Sequence, residues 1–253
     1  MGDVARCSVG GENEYYNEDL LYKLFGINAE LLIDHAWGYE PCTIGMIKQY
    51  KPESTSLSTG QVLQCPYDTK KARLIVKEMT DLLVLDLVDK GLVTDQIVLT
   101  IGYDKDSKHY ADTELTRDRY GRQIPKHAHG TINLKNKTSS TKAIMDATME
   151  LYDRIIDDRL LVRRINVVAN KLAEEAAVED EITYEQLDLF TDYSALEEEK
   201  DRERKELEKE KNLQHAVLDI KKKFGKNAIV KGMNLEEGAM TIKRNEQIGG
   251  HKA

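Results

Sequence analysis

Gln186-Leu187-Asp188-Leu189-Phe190 is the sharpest chemical pattern in the chain. A glutamine amide both donates and accepts hydrogen bonds, and Leu187, Leu189 and Phe190 stand in a polar stretch with nothing nearby to bury them. Apolar anchors in such a setting suit a peptide that fills a pocket on a partner. The competing reading is that they fold back on a neighbouring domain. Residues that could do covalent chemistry are not arranged for it. No glycine-rich phosphate loop precedes a helix, and no nucleophile elbow is present. His127 and His129 lack a third ligand at metal-binding spacing, so they read as solvent- or phosphate-facing, with a metal as the alternative. Two-metal nucleotidyl transfer needs carboxylates on rigid strand ends around ions about 3.5–4 Å apart. Glu179-Asp180-Glu181 lies in a polar linker without that rigidity.

The elements that must position these residues can be read from periodicity. Glu18 to Phe25 reads as a short helix reaching Gly26, and Asn28 restarts a helical pattern through Leu31, Leu32, His35 and Ala36. Gly38 ends it and Pro41 forbids its continuation. Such a pair is either an ordinary αα-hairpin or a helix-hairpin-helix, whose backbone N–H groups can hold a phosphate. Pro52 to Thr59 is a polar linker running into an extended stretch at Gly60–Gln64, which puts a domain boundary near residue 50. Asp68 or Thr69 caps a long helix with apolar positions at Ala72, Ile75, Val76, Met79, Leu82, Leu83 and Val88, ending at Lys90-Gly91. Gln96 to Tyr103 alternates as a strand, a charged insert runs from Asp104 to Lys126, and Thr131 to Lys135 alternates again. Ser139 or Ser140 caps a second helix through Ile155, and Leu161 to Asn170 is a fourth strand. The order β-α-β-β-α-β predicts an α+β fold of the split βαβ, ferredoxin-like kind. Its sheet can carry both helices on one face and leave the other open. On that face Thr100, Asn133, Lys135 and Arg163 suit backbone contact better than base stacking, which needs paired aromatics.

Bulk properties bound the rest. A chain of 253 residues exceeds the usual domain of about 100–150 residues, so one domain with extensions or two small domains is expected. No apolar run approaches the roughly 20 residues of a membrane span and no signal peptide opens the chain, which predicts a cytoplasmic protein. Cys7, Cys42 and Cys65 are odd in number and without metal spacing, hence reduced structural thiols. The net charge of -8 argues against nucleic acid at face value, but the excess acid is concentrated between Glu174 and Glu210. Leu196 to Asn212 alternates acid and base as a solvated helix or tether. Ala216, Val217, Ile220 and Phe224 then make an apolar face on a basic helix with Lys221, Lys222, Lys223 and Lys226. That cluster is a nucleic-acid contact or a plain surface helix.

These residues resemble the bacterial Y-family translesion DNA polymerases over essentially the whole chain. Met1 to Arg6, Leu20 to Gly26 and His35 to Gly38 look like the second part of that family's thumb. Residues 54 to 174 look like its little finger, with Arg163-Arg164-Ile165 on the last strand. Gln186 to Phe190 is similar to the pentapeptide by which these polymerases bind the bacterial sliding clamp, and it lies where that peptide is expected. Lys223 to Asn227 and Gly249 to Lys252 look like the tail of a damage-inducible, SOS-type or prophage-borne Gram-positive branch.

The resemblance implies a division into a partial thumb at 1–45, a linker at 46–53, the little finger at 54–174, and a clamp motif with a helical or disordered charged tail at 175–253. It implies DNA contacts at Gly26, Asn28, Ser54, Ser56, Lys105, Arg122, Asn133, Lys135, Ser139, Arg163 and Arg164, and clamp contacts at Gln186, Leu187, Asp188, Leu189 and Phe190. The implied partners are primer-template or damaged DNA and the clamp. The family's metal-binding carboxylates belong to an N-terminal palm, and this sequence begins inside the thumb. No catalytic residue and no cofactor are therefore expected in this chain, with Mg2+ belonging to the palm. A separately encoded catalytic half is the alternative that would restore DNA polymerase activity, and a clamp-binding regulatory role is a third.

Overall fold

The computed structural model describes residues 1–50, 55–109, 113–118, 120–179, 193–248 and 251–252. Contacts divide the chain into two units, Met1–Glu53 and Ser54–Ala253. In the first, α1 (Gly2–Ser8), α2 (Glu18–Phe25) and α3 (Asn28–Ala36) surround a small core of Cys7, Leu21 and Ala29, and α4 (Ile44–Gln49) comes next. Asn17 caps α2 by accepting the Leu20 N–H at 3.1 Å, and Thr43 caps α4 through the Met46 N–H at 3.2 Å. The turn from α2 to α3 needs Gly26, whose φ of +59 a side chain would strain. Only Cys7 is a buried thiol; Cys42 and Cys65 are exposed and all three are free, so the structural reading of the cysteines holds for Cys7 alone.

The second unit is α+β. Its elements are β1 (Ser56–Tyr67), α5 (Thr69–Asp89), β2 (Leu92–Tyr103), β3 (Leu115–Arg117), β4 (Gln123–Pro125), β5 (Ala128–Thr138), α6 (Thr141–Ile155), β6 (Val162–Asn170), β7 (Ala173–Glu174), α7 (Glu175–Glu179), α8 (Tyr193–Phe224) and α9 (Thr241–Asn245), with a small β8 (Gln247–Ile248) and β9 (His251–Lys252) pair. The main sheet runs β1-β6-β2-β5, all antiparallel, with β7 added beside β2. Both βαβ units are split: β6 lies between β1 and β2, and β2 lies between β5 and β6. The polar stretch expected as linker is already strand from Ser56, because Ser56 and Ser58 face outward while Leu57 packs on the core. The charged insert folds as a 3₁₀ turn at Lys105–His109 and the β3–β4 hairpin.

Asp68 caps α5 through the Lys71 N–H at 2.8 Å, and Ser140 caps α6 through the Ala143 N–H at 3.2 Å. Leu63, Ile97, Leu99, Ile101, Ile165 and Val167 supply the sheet side of the core, and Ile75, Met79, Leu83, Ile144, Leu151 and Tyr152 the helix side. The helices lie close. A Cβ on Gly130 would come within 2.8 Å of both Leu151 and Ile155. The Tyr152 hydroxyl ties α6 to the first turn of α5 by donating to the Thr69 carbonyl at 2.7 Å.

The C-terminal region departs from expectation. Spacer and basic helix are one continuous α8, and the segment after it packs on α5. The inward stripe of α8 is Gln214, Leu218 and Lys221, not the predicted Ala216 to Phe224 face: Ala216 and Phe224 are exposed. Leu218 reaches the main core, as does Met240 beyond the helix. Glu78 of α5 is 2% exposed. It accepts from Asn234 Nδ2 at 2.8 Å and from the Met240 and Thr241 N–H groups at 2.8 and 3.2 Å, so its charge lies at the start of α9 as a helix N-terminus favours. Lys231 pairs with Asp81 and Lys71 with Glu237. The lysine cluster is divided by this packing. Lys221 donates to the carbonyls of Lys226 and Ile229, both at 2.8 Å, with burial lowering its pKa; Lys222 pairs with Asp89; Lys223 lies over the Phe224 ring. No helix among the described residues is long and apolar enough to cross a membrane.

Candidate nucleic-acid interface

Strand alternation sends half of the sheet's side chains away from α5 and α6, and the register arranges them in rows. Ser56, Asn170, Gln96 and Asn133 lie side by side across all four strands; Ser58, Val168, Val98 and Thr131 form the next row; Gly60, Asn166, Thr100 and His129 the third; Val62, Arg164 and Gly102 the fourth. None of these is a carboxylate, in a chain whose net charge is -8. The first row is laced together, since Asn170 Nδ2 donates to Gln96 Oε1 at 3.3 Å and Gln96 Nε2 to Asn133 Oδ1 at 2.8 Å. In the third row Thr100 and His129 share a hydrogen bond of 2.9 Å. Such bonds fix the side chains, and an amide that makes one bond keeps further donor and acceptor capacity.

The cations come from irregularities in the strands. Arg164 pairs with Gly102 and Val62, but the next paired residue on β6 is Val162, so Arg163 is bulged. Val162 and Ile165 are both fully buried although three positions apart, and the bulge turns both intervening arginines away from the core. Neither has an ion-pair partner among the described residues. On β5 the pairing jumps from Asn133 to Thr138, which throws out a bulge carrying exposed Lys135 and half-buried Lys137.

The expected contacts are thus placed differently from one another. Ser56, Asn133 and Arg164 share the outer face, Arg163 and Lys135 border it, and Lys105 is exposed at the start of the insert. Arg122 closes its own turn by binding Asp118 at 2.7 Å, with its guanidinium 5.1 Å from the centre of the Tyr120 ring. Burial pushes the Asp118 carboxyl up, but the backbone and side-chain bonds from Arg122 and the backbone bond from Tyr120 outweigh it and hold the pKa low. Ser139 is only 9% exposed, and its carbonyl accepts from Gln214 Nε2 at 2.9 Å. Gly26 and Asn28 are exposed at the hairpin of the first unit. Ser54 and the pentapeptide Gln186 to Phe190 lie outside the described residues. The histidine rings of 127 and 129 stand 6.5 Å apart, and no group of three metal-ligating side chains occurs among the described residues. The amide row was missed in the sequence, because it exists only once three strands are in register.

Residues 54–189, more than half of the chain, match the impB/mucB/samB family C-terminal domain. The chain belongs to this family. It carries the C-terminal region of a Y-family translesion polymerase. It is 25% identical over 242 residues to DNA polymerase IV 2 of Bacillus subtilis (strain 168), a match taking in 92% of the chain and 47% of that protein. The chain thus spans about half the length of that relative. Among solved structures it is similar to a Y-family DNA polymerase chimera, Dbh-Dpo4(243-245)-Dbh, at 16% identity and a TM-score of 0.35, covering 61% of this chain and 38% of that one.

Proposed function

We propose that this chain holds primer-template or damaged DNA for a translesion polymerase and tethers it to the bacterial sliding clamp. The observation that carries the DNA half is the outer face of the sheet, whose four rows hold no acid and present amides, hydroxyls and Arg164, bordered by Arg163 and Lys135. Phosphate contacts from such a face give binding that is indifferent to sequence and weakened by salt. The hairpin at Gly26 adds backbone N–H donors from the first unit. In this reading the chain takes no cofactor, and Mg2+ belongs with palm carboxylates. Fluorescence anisotropy with a labelled primer-template should give binding at low salt that falls steeply as salt rises; no binding at low salt would refute the DNA half.

The clamp half rests on the chemistry of Gln186 to Phe190. Leu189→Ala with Phe190→Ala should abolish retention on clamp-coated beads, because removing two apolar anchors costs about 2 kcal/mol or more. Unchanged retention would refute it.

A second reading is favoured by the first unit. Among its described residues it buries Cys7, Leu21 and Ala29 alone but exposes Tyr16, Leu24, Ile27, Trp37, Ile44 and Tyr50. Large apolar groups on so small a core suit a surface that another protein segment covers. A catalytic half carrying palm and fingers, in the same or another polypeptide, is that segment in this reading, and nucleotidyl transfer requires it. Primer extension by this chain alone would refute this division of labour.

A further inference from the structure

We propose that α8 is an internal competitor for nucleic acid at the corner where β5 turns into α6, an inference that rests on the DNA-binding reading. The corner continues directly from the cationic border of the outer face, through Lys135 and Lys137 to Ser139, Ser140 and Lys142. In this structure α8 lies over it. Glu210 Oε2 accepts the Ser140 hydroxyl at 2.7 Å and Oε1 accepts the Lys142 N–H at 3.1 Å. One carboxylate thus engages a hydroxyl and a first-turn amide of α6, a helix of 15 residues. Two non-bridging oxygens of a phosphodiester would use the same kind of donors. Gln214 closes the corner further, donating to the Ser139 carbonyl and the Thr141 hydroxyl, both at 2.9 Å. Glu203 and Glu208 line a groove of about 690 Å³ together with Lys137.

The arrangement lets α8 lift at the corner without leaving the fold. Residues 202–209 are exposed, whereas the far end of the helix is fixed by Leu218 in the core and by the Lys221 and Lys222 bonds. A few polar contacts can be exchanged for phosphate while the apolar anchor stays. It also accounts for the burial of Ser139, 9% exposed beneath Gln214 of the helix. The affinity measured for DNA is then the intrinsic affinity reduced by the fraction of molecules with the corner open.

The test uses the full chain and a fluorescein-labelled primer-template at low salt. Glu203→Gln with Glu208→Gln, and separately Glu210→Gln, should tighten binding by roughly fivefold or more. Glu199→Gln with Glu206→Gln makes the same change of charge on exposed turns of the same helix, outside the groove, and should alter affinity by less than about twofold. Hydrogen exchange should show residues 203–214 opening when DNA binds the unmutated protein while 218–245 stay protected. Equal tightening by both double variants, or no tightening by either with exchange at 203–214 unaltered, would overturn the competition and leave DNA binding standing. Absence of binding in every variant would overturn the DNA-binding reading, and the competition with it.

Discussion

Substituting glutamine for Glu78 changes one oxygen into an amide nitrogen and should release the C-terminal tail. The side chain is 2% exposed. One oxygen accepts from Asn234 Nδ2 and the Thr241 N–H, and the other from the Met240 N–H. Glutamine fills the same space but has a single acceptor, so in either orientation its NH2 meets at least one N–H. A buried donor left unpaired costs about 1–3 kcal/mol. For a unit of this size each kcal/mol lowers the melting temperature by about 2–4 °C, which puts the expected fall at roughly 2–12 °C. Glu78→Ala loses all three bonds and leaves a hole, and should cost about 3–5 kcal/mol. Thermal melting gives the size of the effect, and hydrogen exchange gives its place: residues 231–245 should lose protection before the sheet does. A Glu78→Gln protein that melts with the unmutated one and keeps 231–245 protected would refute the reasoning.

Three further outcomes concern the sheet, its arginines and one ion pair. Gly130→Ala brings a methyl group within 2.8 Å of Leu151 and Ile155 and should destabilise by about 1–3 kcal/mol in denaturant unfolding, with no change in DNA affinity after correction for the folded fraction. Arg163→Ala with Arg164→Ala should weaken primer-template binding and reduce the slope of log affinity against log salt by about 2, one for each phosphate no longer neutralised; an unchanged slope would show that neither arginine meets a phosphate. The Arg159 side chain bonded to Asp157 holds its carboxyl below the ordinary carboxylate range. A depressed folded pKa contributes stability that is present above the unfolded value of about 3.9 and is lost as pH falls through the folded one. Asp157→Asn should therefore flatten the decline of melting temperature in acid, below about pH 4.

How far the sequence revealed this fold depended on the range of the interactions. The caps at Asp68 and Ser140 act within three residues, and the alternation of Ile97, Leu99 and Ile101 needs only one strand, so both could be read locally. The bulge at Arg163 also left a local trace. Val162 and Ile165 are apolar at a spacing of three, which strict alternation cannot bury on one face. The β3–β4 hairpin left little, because each of its strands is only three residues long, too short to show an alternation. For the candidate site, residue types were legible and their neighbours were not: Asn170, Gln96 and Asn133 become one row only through pairings between strands distant in sequence.

The charged C-terminal region shows why composition alone misleads. Gln214 is buried and satisfied by groups 73 and 75 residues away, and Glu78 by groups more than 150 residues away; no window of sequence around either residue contains its partners. A buried polar group must be paired, so each such residue requires a second segment, and the trace of that segment lies on the partner helix. α5 carries Leu74 and Leu85 in addition to the stripe that faces the sheet, and both are buried. A helix that is apolar nearly all round is covered on more than one side. The surplus leucines of α5, rather than the ionic pattern of α8, are the sequence signal that the tail packs. The exposed middle of α8 meets polar partners instead, at the corner from Ser139 to Lys142 and through the Lys211–Glu175 ion pair, and the proposed displacement by a polyanion concerns these contacts rather than the docking of Leu218 and Met240.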